Sequence, residues 1–187
     1  MRSLLPLFAT ALAITAPALA AETVPVPAFR SVELRGGGDV IVRPGPAQRV
    51  TILEGSAQIS HFRVVRDGQL QIDVCDDNCP RQYRLRVEVQ SPHAPDVAIA
   101  GGGLIHAVGG FAPQSQLSVA IRGGGKIDML PVAATTVSAA VHGGGLISVA
   151  PRSTLAAAVN GGGEIRYAGN PRVSSAINGG GAVRRLD

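Results

Sequence analysis

Six glycine triplets constrain what this 187-residue chain can fold into more than any other feature. They begin at Gly36, Gly101, Gly123, Gly143, Gly161 and Gly179, and they hold 18 of the 24 glycines. Glycine in an ordered element costs roughly 0.5–1 kcal/mol relative to alanine in lost backbone entropy. A chain keeps such a pattern where geometry needs it, at φ above zero or where backbones approach closely. The flanks are in phase with a buried surface. Two residues before each triplet stand Leu34, Ile99, Ile121, Val141, Val159 and Ile177; on the far side stand Val40, Ile105, Ile127, Ile147, Ile165 and Val183. A flexible linker would not hold valine and isoleucine at fixed offsets.

From Gly101 onward the triplets are spaced by 22, 20, 18 and 18 residues. Spacing near 20 predicts a repeat architecture, and each unit has the length of one coil of a parallel β-helix. Equivalent positions would stack at the strand spacing of about 4.8 Å. The twelve flanking apolar residues then form two internal ladders. A second inward position shrinks along the chain, through Val97, Val119, Ala139, Ala157 and Ser175, which suits a narrow interior. The expected fold class is all-β: a right-handed parallel β-helix or solenoid that bends at its glycine triplets. The hand rests on the crossover rule. Pro131, Pro151 and Pro171 are expected to mark the opposite turns.

The N-terminal half reads differently. Phe29 to Val42 is strand, triplet, strand, and Val50 to Leu53 is a short strand. Phe62 to Val65 and Leu70 to Val74 flank Asp67-Gly68, a hairpin signal. Tyr83, Leu85, Val87 and Val89 alternate with charged residues, as in a half-buried strand. Antiparallel hairpin strands are therefore expected between Gly36 and Gly101. Cys75 and Cys79 bracket one turn. In an exported chain two such cysteines pair, and no further cysteine or histidine stands at metal-ligand spacing. A disulfide is expected.

Arg2, the apolar run Leu4 to Ile14 and Ala18-Leu19-Ala20 form a secretory leader over residues 1–21, leaving 22–187 as a single exported domain, periplasmic or extracellular. No cysteine follows the expected cut at once, and no later stretch has the length and apolarity of a membrane helix. The net charge of +4 is a mild basic excess. Aromatic residues make up 3 % of the chain and tryptophan is absent. That scarcity counts against the stacking platforms of single-strand nucleic-acid sites and of many sugar sites.

The stretch from Asn160 to Pro171 (Asn-Gly-Gly-Gly-Glu-Ile-Arg-Tyr-Ala-Gly-Asn-Pro), followed by Val173 to Gly181 and Val183-Arg184-Arg185, resembles the C-terminal signature of the putative auto-transporter adhesin head domain family, the head GIN domain. Tyr167 to Pro171 is the most specific piece. Phe29 to Val42 and the Asp67-Gly68 hairpin fit the family's N-terminal part. The resemblance implies an exported β-helical domain with an adhesin label and no catalytic residues to carry over. The family usually has Gly-Ser-Gly where this chain has Gly-Gly-Gly.

The triplets fit none of three glycine-rich chemistries. A phosphate loop needs Gly-Lys-Ser/Thr before a helix, and Gly125-Lys126-Ile127 fails that. A dinucleotide fingerprint needs a following helix. Calcium nonapeptides need an aspartate in every repeat. Asp39, Asp128 and Glu164 fall on different coils, so no carboxylate pair is expected for glycan hydrolysis. His61, His93, His106 and His142 read as surface or turn residues. No cofactor is implied. One constellation stands out: Arg122, His142, Asn160 and Asn178 share one offset and should form an outward polar row. The expected function is a non-enzymatic envelope module binding a glycan or a surface partner through that row. The alternatives are a structural module that self-associates through its end strands, with Val183 to Leu186 as the edge, and a polysaccharide-degrading β-helix enzyme.

Overall fold

The structure is a computed structural model that describes residues 21–65, 67–75 and 79–186. The leader expected over residues 1–21, Ala21 apart, lies outside the described residues. So does the centre of the cysteine turn. The alternating apolar positions become fifteen strands in one mixed sheet, and no helix occurs among the described residues. In the N-terminal half these are β1 (Glu22–Val24), β2 (Ser31–Arg35), β3 (Asp39–Pro44), β4 (Arg49–Glu54), β5 (His61–Val64), β6 (Gln69–Asp73) and β7 (Arg86–Ser91). The repeats supply β8 (Asp96–Gly101), β9 (Leu104–Ala107), β10 (Gln114–Gly123), β11 (Lys126–Gly143), β12 (Leu146–Gly161), β13 (Glu164–Tyr167), β14 (Arg172–Asn178) and β15 (Ala182–Arg185).

Strands that precede a triplet pair in parallel with one another, in the order β2, β8, β10, the second half of β11, the second half of β12, and β14. Strands that follow a triplet do the same: β3, β9, the first halves of β11 and β12, β13 and β15. The register keeps equivalent residues opposite, so that Ile99, Ile121, Val141, Val159 and Ile177 form one ladder. The inward rows of both runs share one core, in which Ile121, Ile127, Val141, Ile147 and Ile165 are fully buried. Burying each such side chain contributes about 1.5–3 kcal/mol.

The glycines are needed at two of the three triplet positions. The first glycine takes positive φ in every triplet, +120° at Gly161. A Cβ there would stand 2.7 Å from the carbonyl oxygen of Gly143 on the neighbouring strand. At the third position a Cβ on Gly145 would stand 2.6 Å from Ile121 Cγ2. The middle glycine meets nothing within 4 Å, at Gly162 as at its equivalents. The parallel ladder therefore runs on through the corner, with Gly144 N–H donating to Gly123 O at 3.0 Å and Leu146 N–H to Gly125 O at 3.0 Å.

The opposite corners differ from expectation. Pro131 and Pro151 lie inside the continuous strands β11 and β12 and do not interrupt them. The register slips there, between Met129 and Ala133 and again before Thr136. This absorbs the change in repeat length and tolerates a residue with no N–H to give the ladder. Pro171 lies outside any strand.

The N-terminal half is mixed. The Asp67-Gly68 hairpin forms, with β5 antiparallel to β6. β4 is antiparallel to both β1 and β7. Yet β6 pairs in parallel with β2, and β7 in parallel with β3. Strands β6 and β7 therefore form one more rung on the stack, outside the first triplet rung, although they follow it in sequence. The described ends of the β6–β7 connection stand where a further triplet's flanks would. They bond to the first triplet's flanks: Val74 N–H to Arg35 O at 3.2 Å, and Asp39 N–H to Leu85 O at 2.9 Å. The strand expected from Tyr83 begins only at Arg86. Tyr83 still packs against the core, but outside the ladder: its hydroxyl accepts from Ser56 N–H at 2.9 Å and lies 2.8 Å from Ser60 Oγ.

Candidate functional site

Successive residues of a strand point to opposite faces, so the inward ladders dictate the outward rows. The register places Arg122 opposite His142, His142 opposite Asn160, and Asn160 opposite Asn178. The four form one outward row. Three are chained: Asn178 Nδ2 donates to Asn160 Oδ1 at 3.0 Å, and Asn160 Nδ2 lies 3.1 Å from His142 Nε2. Followed the other way, the row passes Ala100 to Arg35 and Asp73.

Beside this row, two residues further from the triplets, runs an outward row of alanines: Ala98, Ala120, Ala140, Ala158 and Ala176. The next outward row carries Asp96, Ser118, Ser138, Ala156 and Ser174. Such short side chains leave a groove of about 520 Å³ across five rungs, floored by alanine and serine. The groove can take an extended chain lying across the strands. The polar row beside it can offer hydrogen bonds at the rung spacing of about 4.8 Å.

At the capped end the same face is charged. Arg35 Nε stands 2.9 Å from Glu33 Oε2, and Arg63 NH2 stands 2.9 Å from Asp73 Oδ2. Glu33 and Asp73 are buried, and arginine pairing is what permits that.

The opposite face carries a cluster the sequence reading overlooked. His106 Nδ1 lies 3.3 Å from Asp39 Oδ1, and Arg86 Nε lies 3.3 Å from Asp39 Oδ2. His106 is a half-buried strand residue, neither turn nor free surface, whereas His61, His93 and His142 are exposed as expected. The signal was available in the triplet frame. Asp39 directly follows one triplet and His106 lies two positions further on in the next, which puts them diagonally on adjacent rungs. Asp128 is the next rung from His106, and Ser148 the rung after that. Two rungs are about 10 Å, too far for the histidine to take a proton from the serine. Among the described residues no group of three or more histidine, cysteine, aspartate or glutamate side chains could hold a metal ion.

Cys75 and Cys79 are joined in a disulfide, with their Cα atoms 5.8 Å apart. It lies between β6 and β7, and neither cysteine lines the groove.

Residues 96–171 match the family described as putative auto-transporter adhesin, head GIN domain. The match takes in four of the triplets and stops before the last, a narrower span than the resemblance read along the sequence. Within the matched segment lie the alanine floor from Ala98 to Ala158 and three members of the polar row. Among solved structures the chain is similar to a putative adhesin from Bacteroides fragilis NCTC 9343, with a TM-score of 0.54 and 19 % identity over 89 % of this chain and 96 % of that one. That likeness is one of fold. Looser likenesses link it to a putative lipid binding protein (TM-score 0.40, 16 % identity, 90 % and 96 % covered) and a putative adhesin (0.33, 18 %, 89 % and 96 %), both from Parabacteroides distasonis ATCC 8503. No curated protein matches the chain. No helix among the described residues is long and apolar enough to cross a membrane.

Proposed function

We propose that the chain is an exported, non-enzymatic recognition module of the cell envelope, built as a right-handed β-solenoid. It binds an extended glycan or a surface protein along the alanine-floored groove, with Arg122, His142, Asn160 and Asn178 as its hydrogen-bonding wall. The in-phase parallel registers of the repeats support the solenoid. The observation that carries the binding reading is the pairing of a groove across five rungs with a polar row repeating at the same interval. A ligand with a regular repeat could engage several rungs at once, each contact adding to the next. The family's adhesin label agrees with this reading.

The experiment is binding of the purified protein to a broad array of envelope glycans, beside two variants. Arg122→Ala removes a wall residue. Ala140→Arg fills the floor at a half-exposed position, leaving the core untouched. Specific binding that both variants lose places recognition in the groove. Binding that survives Ala140→Arg moves it elsewhere, and no binding to any glycan, with none to envelope protein extracts either, overturns the reading.

A further inference from the structure

The two ends of the strand stack are finished differently. At one end the outermost strands are β1 and β5, of 3 and 4 residues, each antiparallel to its inner neighbour. At the other end the outermost strands are β14 and β15. Each is paired on one side only among the described residues, β14 with β12 and β15 with β13. β14 is 7 residues long and exposed throughout. Its ladder positions Val173 and Ile177 are 36 % and 44 % exposed, whereas their counterparts one rung inward, Leu155 and Val159, are fully buried. An edge with free main-chain groups and exposed apolar ladder residues is a template for another strand.

We propose that β14 is the pairing edge of a twofold dimer, taking β14 of a second copy as its antiparallel neighbour with Ser175 on the axis. Facing residues of an antiparallel pair share a face, so only registers that match inward with inward residues are allowed. Of these, centring on Ser175 uses all seven residues and sets Val173 against the second copy's Ile177, twice by symmetry. A shift of the centre to Ser174 sets Ile177 against Pro171, which has no N–H to give. A shift to Ala176 sets Ile177 against Ser175. The chosen register also faces Asn178 with the second copy's Arg172. Asn178 spends its Nδ2 on Asn160. Its Oδ1 is left to accept, and a guanidinium has only donors. The surface is thus self-complementary, as a twofold interface must be. Among the described residues the other end offers no equivalent long parallel edge, so the contact closes at two copies.

The charge at this end supplies a signature. Arg172, Arg184 and Arg185 all lie on the two outer strands, with Glu164 the nearby acid that pairs with Arg184 at 3.8 Å. Two copies bring like charges together, so salt should strengthen the dimer by screening them. An acidic partner strand docking on the same edge would show the opposite.

The test is sedimentation equilibrium of the purified protein across concentration and salt, with Ile177→Lys and a cysteine pair of variants. The dimer is expected to tighten as salt rises. Ile177→Lys should weaken it by about tenfold or more, because an unpaired ammonium would be buried. Ser175→Cys should cross-link under mild oxidation, since facing Cα atoms lie about 4.5–5.5 Å apart. Ser174→Cys should not, because the two copies of residue 174 lie about 7–8 Å apart on the diagonal. A monomer at all concentrations, a dimer indifferent to Ile177→Lys, equal cross-linking of the two cysteine variants, or a dimer that salt dissolves would each overturn the proposal. Ser174 and Ser175 also line the groove, but self-association and cross-linking are read without any groove ligand, so their failure is distinct from a failure of glycan binding.

Discussion

The N-terminal and C-terminal ends of the strand stack use the same ladder of parallel strands and solve its termination by opposite means. Residues 22–96 carry 9 arginines against 10 carboxylates, a net charge of −1, while residues 97–186 carry 7 basic residues against 2 acidic, a net +5. The balanced end spends its charges on pairs, among them Arg35 with Glu33 and Arg63 with Asp73. It also spends chain: the connection from β6 to β7 is longer than a glycine triplet, and Cys75 and Cys79 within it are joined in a disulfide. The basic end has no such covering among the described residues and presents β14 and β15 directly. Stacked repeats bury their faces against each other, and a terminal repeat must be made different to be stable alone. One end here is made different and the other remains a repeat.

The glycine corners give the largest effect by which this contrast can be broken. At the repeated corner, Gly161→Ala adds a Cβ 2.7 Å from a neighbouring carbonyl at φ +120°. It is expected to cost about 3 kcal/mol or more in chemical unfolding, since backbone cannot yield as a flexible side chain does. At the capped end, Gly36→Ala meets only Val74 Cβ at 3.7 Å, at φ +91°. That leaves backbone strain alone, about 1–2 kcal/mol. Gly162→Ala meets nothing and is expected to be neutral or to stabilise by about 0.4–1 kcal/mol, by restricting the unfolded chain. Equal costs at Gly161 and Gly36 would mean that close approach of neighbouring strands is not what the triplets serve.

Next in size is the cap against the bare edge. Replacing Cys75 and Cys79 together by alanine is expected to cost roughly 2 kcal/mol, the chain-entropy value for so short a ring. Ile177→Asn, at a ladder position of the bare end, is expected to cost under about 0.5 kcal/mol at concentrations where the chain is monomeric, as for an exposed site. The same change at Ile121, fully buried in the same ladder, should cost several-fold more. Thermal melts of the three variants measure this directly. A large loss at Ile177 would show that the end is covered within the monomer.

Tyr83→Phe sharpens the account of the cap itself. The Tyr83 hydroxyl meets Ser56 N–H and Ser60 Oγ, and Ser60 is buried. Removing it strands a main-chain donor, which is expected to cost about 1–2 kcal/mol. The loss should be confined to the capped end: amide exchange should rise at residues 56–60 and not in β12 or β14.

Much of this arrangement was legible in the sequence because it is periodic. The triplets, their apolar flanks and the polar row all repeat at one offset, and a parallel register turns a shared offset into contact. The same frame would have exposed Asp39 with His106, had the two offsets been compared diagonally. What the sequence hid is where a local signal loses to a tertiary one. Tyr83 alternates like a strand residue, but its hydroxyl is claimed by the loop at Ser56. Pro131 and Pro151 read as markers of the opposite turns, yet the strands run through them with a register slip. The place of β6 and β7 outside the first triplet was not readable at all, because stacking order and chain order differ there. The alanine floor was also missed, since small residues on an outward row carry no pattern of their own until the strands beside them are known.

The smallest expected effect is electrostatic and belongs to the basic end. The hydrogen bond from Arg166, at 2.9 Å, holds the Glu164 carboxyl below its ordinary value of 4.5, with Arg166 and Arg184 adding charge attraction and partial burial opposing them. A carboxyl whose value is lowered on folding contributes stability that is fully present above its unfolded value. That contribution fades as pH falls from about 4.5 through the lowered folded value. Glu164→Gln should therefore melt slightly below the parent at pH 7, with the gap closing towards pH 3. The gap should also shrink in high salt at pH 7, as for any exposed pair. A gap unchanged across that acid range would assign the effect of Glu164 to packing rather than charge. The neighbouring arginines would then be unpaired in effect at the bare end, and the salt response of any dimer formed there should be steeper than Glu164 now allows.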